Sequence, residues 1–178
     1  MITQVVLLRG INVGGSHNVK MVDLAKLCAK TGATAVKTYI QSGNVVLGSK
    51  LAPAELEDAI ETGIAKSHGF RPSVVVRTQA ELAKIVSSTP YTIADGTKHV
   101  VYFGKAKLPA KVFSAFDLKP FAPEHFTVRG REMYLDLPEG QGRSKLVMAL
   151  TKVKHDVPVT ARNWNTVTKL LALATPAE

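Results

Sequence analysis

Residues 36–47 read VKTYIQSGNVVL, and this stretch decides how the first half of the chain folds. Two strand-like runs, residues 36–41 and 45–47, flank Ser42-Gly43-Asn44, whose residue types are typical of a turn. We therefore predict a β-hairpin, which makes the two strands antiparallel neighbours in one sheet.

The hairpin lies between two helical patterns. Upstream, an apolar strand at residues 5–9 leads through a glycine-rich loop to a helix that runs from Met21 and is ended by Gly32. Downstream, Pro53 suits the first turn of a helix that stops near Gly69, and residues 73–77 form the next strand. The acidic residues at 55–61 are expected to form a solvated helix face. The predicted order of elements is βαββαβ.

The second half repeats this order after a linking helix at residues 79–86. Its predicted elements are a strand at 99–103, a helix at 110–116, strands at 125–128 and 132–137, a helix at 144–154 and a strand at 157–161. Matching positions recur at a steady offset, since Gly43 and Gly130 are 87 residues apart and Pro72 and Pro158 are 86 apart.

We therefore predict an α+β fold that is a tandem duplication of two ferredoxin-like βαββαβ halves plus a C-terminal helix. The first half covers residues 1–78, the linking helix and loop cover 79–97, and the second half with the C-terminal helix covers 98–178.

The composition fits a globular protein that carries an excess of positive charge. Of 178 residues, 46% are hydrophobic, which is enough to form a core, and no window approaches the roughly 20 apolar residues of a membrane span. The N-terminus lacks signal-peptide features, and the only cysteine, Cys28, falls at an apolar helix position, so we expect a bacterial cytoplasmic protein with an inert thiol. The net charge of +9 favours anionic partners, although lysines and arginines are spread along the whole chain.

The loop after the first strand, Arg9-Gly10-Ile11-Asn12-Val13-Gly14-Gly15, is the first candidate site. It matches neither the dinucleotide fingerprint nor the Walker pattern. It nevertheless joins a strand to a helix, and backbone N–H groups at such a junction can hold an anion. The Arg9 guanidinium could donate two parallel hydrogen bonds to that anion, and Lys20 could add a point charge. Alternatively, Gly14 and Gly15 only supply the positive φ angles of a tight turn.

The hairpin tip, Gln41-Ser42-Gly43-Asn44, is the second candidate site. The residue types Ser, Gly and Asn are enough to explain a turn here without any ligand. Alternatively, the Gln41 and Asn44 amides face a ligand, which they would recognise by hydrogen bonds rather than transform, because amides are poor acids and bases.

Two further candidates lie in the second half of the chain. Arg162-Asn163-Trp164 combines a guanidinium, a helix start and the only tryptophan, which suits phosphate next to a flat group. Alternatively, Asn163 caps the last helix and Trp164 anchors the core. The glycine-rich segment before Ser144 and Lys145 is either an anion-contacting loop or a flexible connection.

No motif identifies a reaction. The five histidines lack metal-ligand spacing and Cys28 has no partner, so no metal or cofactor is predicted. Known nucleophile motifs do not occur, and the sequence leaves open whether the protein is an enzyme.

Four ordered segments, LLRGINVGG, TYIQSGNVV, GRSKL and TARNWNTVTKL, resemble the hallmark segments of a bacterial family called domain of unknown function 1697 (DUF1697). The resemblance implies a duplicated α+β fold of cytoplasmic type and no established activity. The positions that match these segments are Arg9, Asn12, Gly14, Gly15, Gln41, Ser42, Asn44, Ser144, Lys145, Arg162, Asn163 and Trp164.

Because polar residue types dominate these segments, we expect them to converge in a cleft between the halves that binds an anionic, phosphate-bearing ligand such as a nucleotide or nucleic acid. Arg9, Lys20 and Arg162 would neutralise charge, and Trp164 or Tyr39 could stack a base. The alternatives are an enzyme that acts on a small phosphorylated substrate and a structural or interaction protein without a small-molecule site.

Overall fold

The computed structural model describes residues 1–176, and these residues divide into two compact units. The first unit runs from Met1 to Lys84 and also includes residues 169–176, whereas the second covers Ile85–Thr168. The boundaries therefore fall inside two helices rather than in exposed linkers.

The first unit contains one four-stranded antiparallel sheet with the strand order β2-β3-β1-β4. Its elements are β1 (Ile2–Leu8), α1 (Met21–Lys30), β2 (Thr34–Tyr39), β3 (Asn44–Ser49), α2 (Pro53–His68) and β4 (Val74–Thr78). The hairpin prediction is confirmed, because β2 pairs with β3 on either side of the turn at residues 40–43. α3 (Gln79–Ser87) follows directly on β4.

The second unit contains a sheet with the equivalent order β6-β7-β5-β8. Its elements are β5 (His99–Gly104), α4 (Ala110–Ser114), β6 (His125–Arg129), β7 (Glu132–Asp136), α5 (Lys145–Leu150) and β8 (Val159–Asn163), followed by α6 (Trp164–Ala174). The predicted α+β class is confirmed, with six α-helices and two four-stranded antiparallel sheets in residues 1–176. None of the helices described is long and apolar enough to cross a membrane.

Several element boundaries in the second unit differ from the prediction; the helix expected at 110–116, for example, ends at Ser114. The helix expected at 144–154 ends at Leu150, and the strand expected at 157–161 begins at Val159. Pro158 lies immediately before β8, and a proline, which has no N–H, is tolerated at a strand end better than within a ladder.

The core of the first unit follows from the two-residue periodicity of its strands. On β1, Val6 and Leu8 face the helices and are fully buried together with α1 residues Leu24 and Cys28. Burial raises the pKa of the Cys28 thiol to about 12, so the thiol is protonated and unreactive at neutral pH.

Two acidic residues of α2 cap the open edge of the first sheet. The Val76 N–H donates to Glu57 Oε1, and the Val74 N–H donates to Glu61 Oε1, each over 2.9 Å. The expectation of a solvated acidic face at 55–61 is wrong for these two glutamates, which are both buried. The outward N–H groups of edge strand β4 need acceptors, and carboxylates one helical turn apart supply them.

Candidate anion-binding surface of the first unit

The loop between β1 and α1 is built from left-handed backbone conformations. Within residues 10–17, positive φ angles occur at Gly10 (66°), Asn12 (54°), Gly14 (63°), Gly15 (77°) and His17 (53°). Such conformations are costly for residues other than glycine, so each needs support from its surroundings. The loop is therefore held in an unusual shape while it lies exposed to solvent.

The Asn12 side chain supplies that support. Its Nδ2 donates to the carbonyl oxygen of Val19 over 2.9 Å and to that of Gln41 over 2.8 Å, and its Oδ1 accepts from the Val19 N–H over 2.8 Å. The amide thus joins both ends of the loop to the β2–β3 turn. Both N–H donors of Asn12 are engaged within the protein, which leaves them none for a ligand.

The hairpin turn is equally constrained. Ile40 has a φ of 48°, which is rare for a β-branched residue, and Gly43 has a φ of 78°. A Cβ on Gly43 would lie 2.8 Å from side-chain carbons of Leu8 and Ile11, so this position admits only glycine without rearrangement.

The polar residues of the turn differ in their exposure. Asn44 is fully buried, and its Nδ2 donates to the carbonyl of Tyr39 over 3.0 Å and to Ser42 Oγ over 2.9 Å. Gln41 is exposed. Ser42 and Asn44 therefore shape the turn, and Gln41 is the turn residue whose side chain faces solvent.

Arg9 and Lys20, at the two ends of the loop, have side chains without a partner within the described residues. Arg9 uses its backbone N–H to bond the Ser73 carbonyl, and Lys20 provides the carbonyl that begins α1. Both side chains are exposed, and within residues 1–176 neither makes a hydrogen bond or an ion pair. The Gly14 and Gly15 N–H groups likewise carry no hydrogen bond within the described chain.

A basic groove, which the sequence interpretation missed, lies between α1 and α2. It has a volume of about 740 Å³, and its basic residues are Lys26 and Lys30 on α1 and Lys66 and His68 on α2. Among the described residues, Asp23 is the only acidic one in its wall. Lys26 and Lys30 stand four residues apart on one face of α1, so their spacing was a signal that the sequence contained.

The floor of the groove is apolar and narrow. A Cβ on Gly63 would lie 3.0 Å from Leu27, so glycine allows the two helices to approach closely at this point. Ser67 Oγ lies 2.7 Å from His68 Nδ1 at the edge of the groove, but it also donates to the Gly63 carbonyl over 2.8 Å. The direction of the Ser67–His68 hydrogen bond depends on the tautomer of the imidazole.

Aromatic rings connect the loop to the groove. The His17 ring lies over Phe70 with the centroids 4.4 Å apart, and His68 meets Phe70 edge-on at 6.3 Å. Because His17 belongs to the loop and His68 to the groove, the two features form one surface on the first unit. We call it the basic surface, consisting of residues 9–20, Lys26, Lys30, Lys66 and His68.

The second-half candidates lie in the second unit, mostly in structural roles. Arg162 is buried and donates from Nη1 to Thr160 Oγ1 over 2.9 Å and to the Ala161 carbonyl over 2.7 Å. Burial lowers the pKa of its guanidinium to about 10. Asn163 Oδ1 accepts the Thr166 N–H, and so caps α6 as the alternative interpretation expected.

Trp164 is also buried, with 9% of its surface exposed, so it offers little surface for stacking. Lys145 is exposed at the start of α5, next to Ser144, whose Oγ accepts the Val147 N–H. A cleft shared by the two halves stays a prediction.

Another titratable cluster lies on the second sheet, where His99 and His125 flank Asp136 across adjacent strands. The imidazole nitrogens stand 3.6 Å and 3.9 Å from the carboxylate oxygens, beyond hydrogen-bond distance. Within residues 1–176, no three His, Cys, Asp or Glu side chains are arranged to hold a metal ion.

Comparison with known proteins identifies the family. The chain is similar to the solved structure of conserved bacterial protein SP0830 from Streptococcus pneumoniae, with a TM-score of 0.80 and 23% identity over 98% of this chain and 99% of that one. At this identity the likeness shows the fold alone. No curated protein matches the chain. Residues 1–134 match the family model described as "Protein of unknown function (DUF1697)", and the chain therefore belongs to the DUF1697 family.

Proposed function

We propose that this protein is a binding module for a phosphate-bearing ligand, a nucleotide or a nucleic acid, and that the basic surface of the first unit is its site. One observation carries the proposal. The exposed loop at residues 10–17 holds five left-handed residues in place, and two cations with uncommitted side chains stand at its ends. Three of the five are glycines, which adopt a positive φ without strain, so the strained residues are Asn12 and His17. Strained residues of this kind occur often at ligand-binding segments.

The chemistry of the loop suits an anion. Gly14 and Gly15 form the centre of a tight turn closed by Val13 and Ser16, and their N–H groups have no partner within the described residues, so they are available to an anion. Arg9 adds a planar donor that matches two phosphate oxygens, and Lys20 adds a point charge at the start of α1. The proposal does not include Arg162, Asn163 and Trp164, which are buried or hydrogen-bonded within the second unit.

We also infer that the two units arose by duplication of a ferredoxin-like half, in a cytoplasmic protein. Both sheets have the same connectivity and strand order. Arg77 and Arg162 are each the fourth residue of the edge strand, opposite Val5 and Val101. Each guanidinium also donates to the carbonyl of the preceding residue. A repeated detail of this kind supports a common origin of the halves.

Thermal unfolding with and without ligand tests the proposed function. Inorganic phosphate, pyrophosphate, nucleotides and short oligonucleotides are added to the wild type, Arg9→Ala, Lys20→Ala and the control Lys50→Ala, whose lysine is exposed outside the basic surface. At a concentration of about 100 times Kd, a ligand stabilises the native state by roughly 2.7 kcal/mol. For a chain of this size, the melting temperature rises by about 5–10 °C.

We expect at least one compound to raise the melting temperature of the wild type and of Lys50→Ala, and to have a smaller effect on Arg9→Ala and Lys20→Ala. The proposal is refuted if no phosphate compound shifts the wild type, or if all four proteins respond equally.

A further inference from the structure

We propose that the groove between α1 and α2 binds the sugar–phosphate backbone of a single-stranded nucleic acid that continues from the glycine loop. This inference rests on the proposed function and narrows its ligand class from any phosphate compound to a polymer. Three properties of the basic surface support it. Its lysines have no acidic partners, its cations extend over a distance longer than one nucleotide step, and aromatic rings lie between the loop and the groove.

The charge of the groove is not neutralised within the described chain. Lys26, Lys30 and Lys66 are exposed, and none of them forms a hydrogen bond or an ion pair within residues 1–176. Asp23 is the only carboxylate in the wall and does not pair with them. An open groove with three unpaired ammonium groups attracts a polyanion.

The length of the charged row exceeds what one nucleotide presents. Lys20 and Lys30 are ten residues apart along the chain, and at 1.5 Å per residue this is about 15 Å. A stacked strand, as in B-DNA, advances by about 3.4 Å per phosphate, so about 15 Å corresponds to roughly four phosphates of a stacked strand and to fewer of an extended one. Lys20 lies outside the wall of the groove, so a ligand that contacts both Lys20 and the groove lysines must follow the surface from the loop into the groove, as a polymer can.

The rings between the loop and the groove favour an unpaired strand. His17 is exposed and lies on Phe70, and His68 stands at the end of the groove. Non-specific single-strand sites combine a cationic track with aromatic rings on which bases stack, and only unpaired bases expose their faces. A duplex would engage the lysines but not the rings.

The competing explanation is that the lysines only complement helix dipoles. Lys30 is the last residue of α1, and Lys66 lies in the last turn of α2, where cations are favourable without any ligand. Lys26 is not in a last turn, and the dipole explanation does not account for its place in the groove.

Fluorescence anisotropy measures the binding of a labelled single strand of about 12 nucleotides. The full chain is titrated between about 50 and 200 mM salt, as the wild type and as the variant Lys26→Gln/Lys30→Gln/Lys66→Gln. The matched control is Lys37→Gln/Lys50→Gln/Lys152→Gln, which removes the same charge from exposed lysines outside the groove.

We expect a wild-type salt slope of about −3.5, from Arg9 and four lysines at about 0.7 each for a single strand. The groove variant is expected to bind at least tenfold more weakly with a slope near −1.4, whereas the control stays within about threefold of the wild type. Equal losses in the two variants would show that net charge alone attracts the strand, and would overturn the assignment to the groove. Tighter binding of a duplex of the same length overturns the single-strand assignment.

The same proteins separate this inference from the proposed function. If phosphate or nucleotides raise the melting temperature through Arg9 and Lys20 but the oligonucleotide binds no tighter than a mononucleotide, the inference fails and the proposed function stands. If neither small phosphates nor oligonucleotides bind the wild type, both fail.

Discussion

Replacing Asn12 by alanine removes the side chain that holds the glycine loop to the hairpin turn. Three hydrogen bonds are lost, two donated by Nδ2 and one accepted by Oδ1. At about 0.5–1.5 kcal/mol each, these bonds contribute about 1.5–4.5 kcal/mol. A φ of 54° costs alanine a further 1–2 kcal/mol or so. We therefore expect Asn12→Ala to lower the free energy of unfolding by about 3–6 kcal/mol.

Two further substitutions at Asn12 separate the contributions. Asn12→Gly loses the hydrogen bonds but tolerates the positive φ, so it is expected to be more stable than Asn12→Ala by about 1–2 kcal/mol. Asn12→Asp keeps the acceptor for the Val19 N–H but sets an anionic oxygen against two carbonyl oxygens, and it is expected to be destabilised as well.

Urea unfolding followed by far-ultraviolet circular dichroism is the suitable assay, because the only tryptophan, Trp164, lies in the second unit and Asn12 in the first. The free energies are comparable only where the transition is two-state. An ordinary surface substitution changes the free energy of unfolding by less than about 0.5 kcal/mol. A loss this small for Asn12→Ala would refute the conclusion that the Asn12 side chain holds the loop to the hairpin turn. Equal stability of the alanine and glycine variants would refute the strain contribution.

Three other predictions concern packing, the sheet edge and pH. Gly43→Ala is expected to lower the free energy of unfolding by about 2–5 kcal/mol, because the new Cβ would meet side-chain carbons at 2.8 Å. Gly32→Ala has a similar φ but open space around it, and it is expected to lose about 1–2 kcal/mol. Urea titrations of both variants compare these losses, and equal losses would contradict the packing argument. Glu57→Ala leaves the Val76 N–H without its carboxylate and is expected to cost about 1–3 kcal/mol, while Glu57→Gln restores part of the loss in the same assay. Burial raises the pKa of Tyr134 to about 12, so the stability from its protonated phenol is complete below the unfolded value of about 10 and is lost as pH rises towards 12. Urea midpoints across this range should fall less steeply in Tyr134→Phe than in the wild type, and identical slopes would argue against a buried phenol.

Much of the fold could be predicted because local chemistry determines it. The turn at Ser42-Gly43-Asn44 and the helix between Pro53 and Gly69 both carry unambiguous boundary residues. The burial of Glu57 and Glu61 could not be predicted, because it depends on the open edge of β4, a strand that follows them in the chain. Hydrophobic periodicity identifies which residues face the core but not which backbone groups lack a partner.

The sequence predicted the loop cations of the candidate site but not the groove lysines, and the physical reason differs from the one that hid the buried glutamates. A polar residue in an otherwise apolar context can serve a ligand or satisfy the backbone, and sequence alone does not separate the two roles. Asn12, Asn44 and Asn163 prove to satisfy backbone groups. Lys26 and Lys30 were missed because lysines on an exposed helix face are common, and their significance depends on Lys66 across the groove.

The residues of the loop and of the adjacent hairpin turn differ in whether the fold or a ligand requires them. Asn12 and Gly43 have identities that the fold itself demands, through three hydrogen bonds and a contact that excludes a Cβ. The side chains of Arg9 and Lys20 make no contribution of this kind, since neither has a partner within the described chain. Substituting Asn12 or Gly43 therefore changes stability and binding together and cannot diagnose a binding site. Arg9 and Lys20, by contrast, can lose binding while the protein keeps its stability, and this separation is what a ligand-binding role predicts.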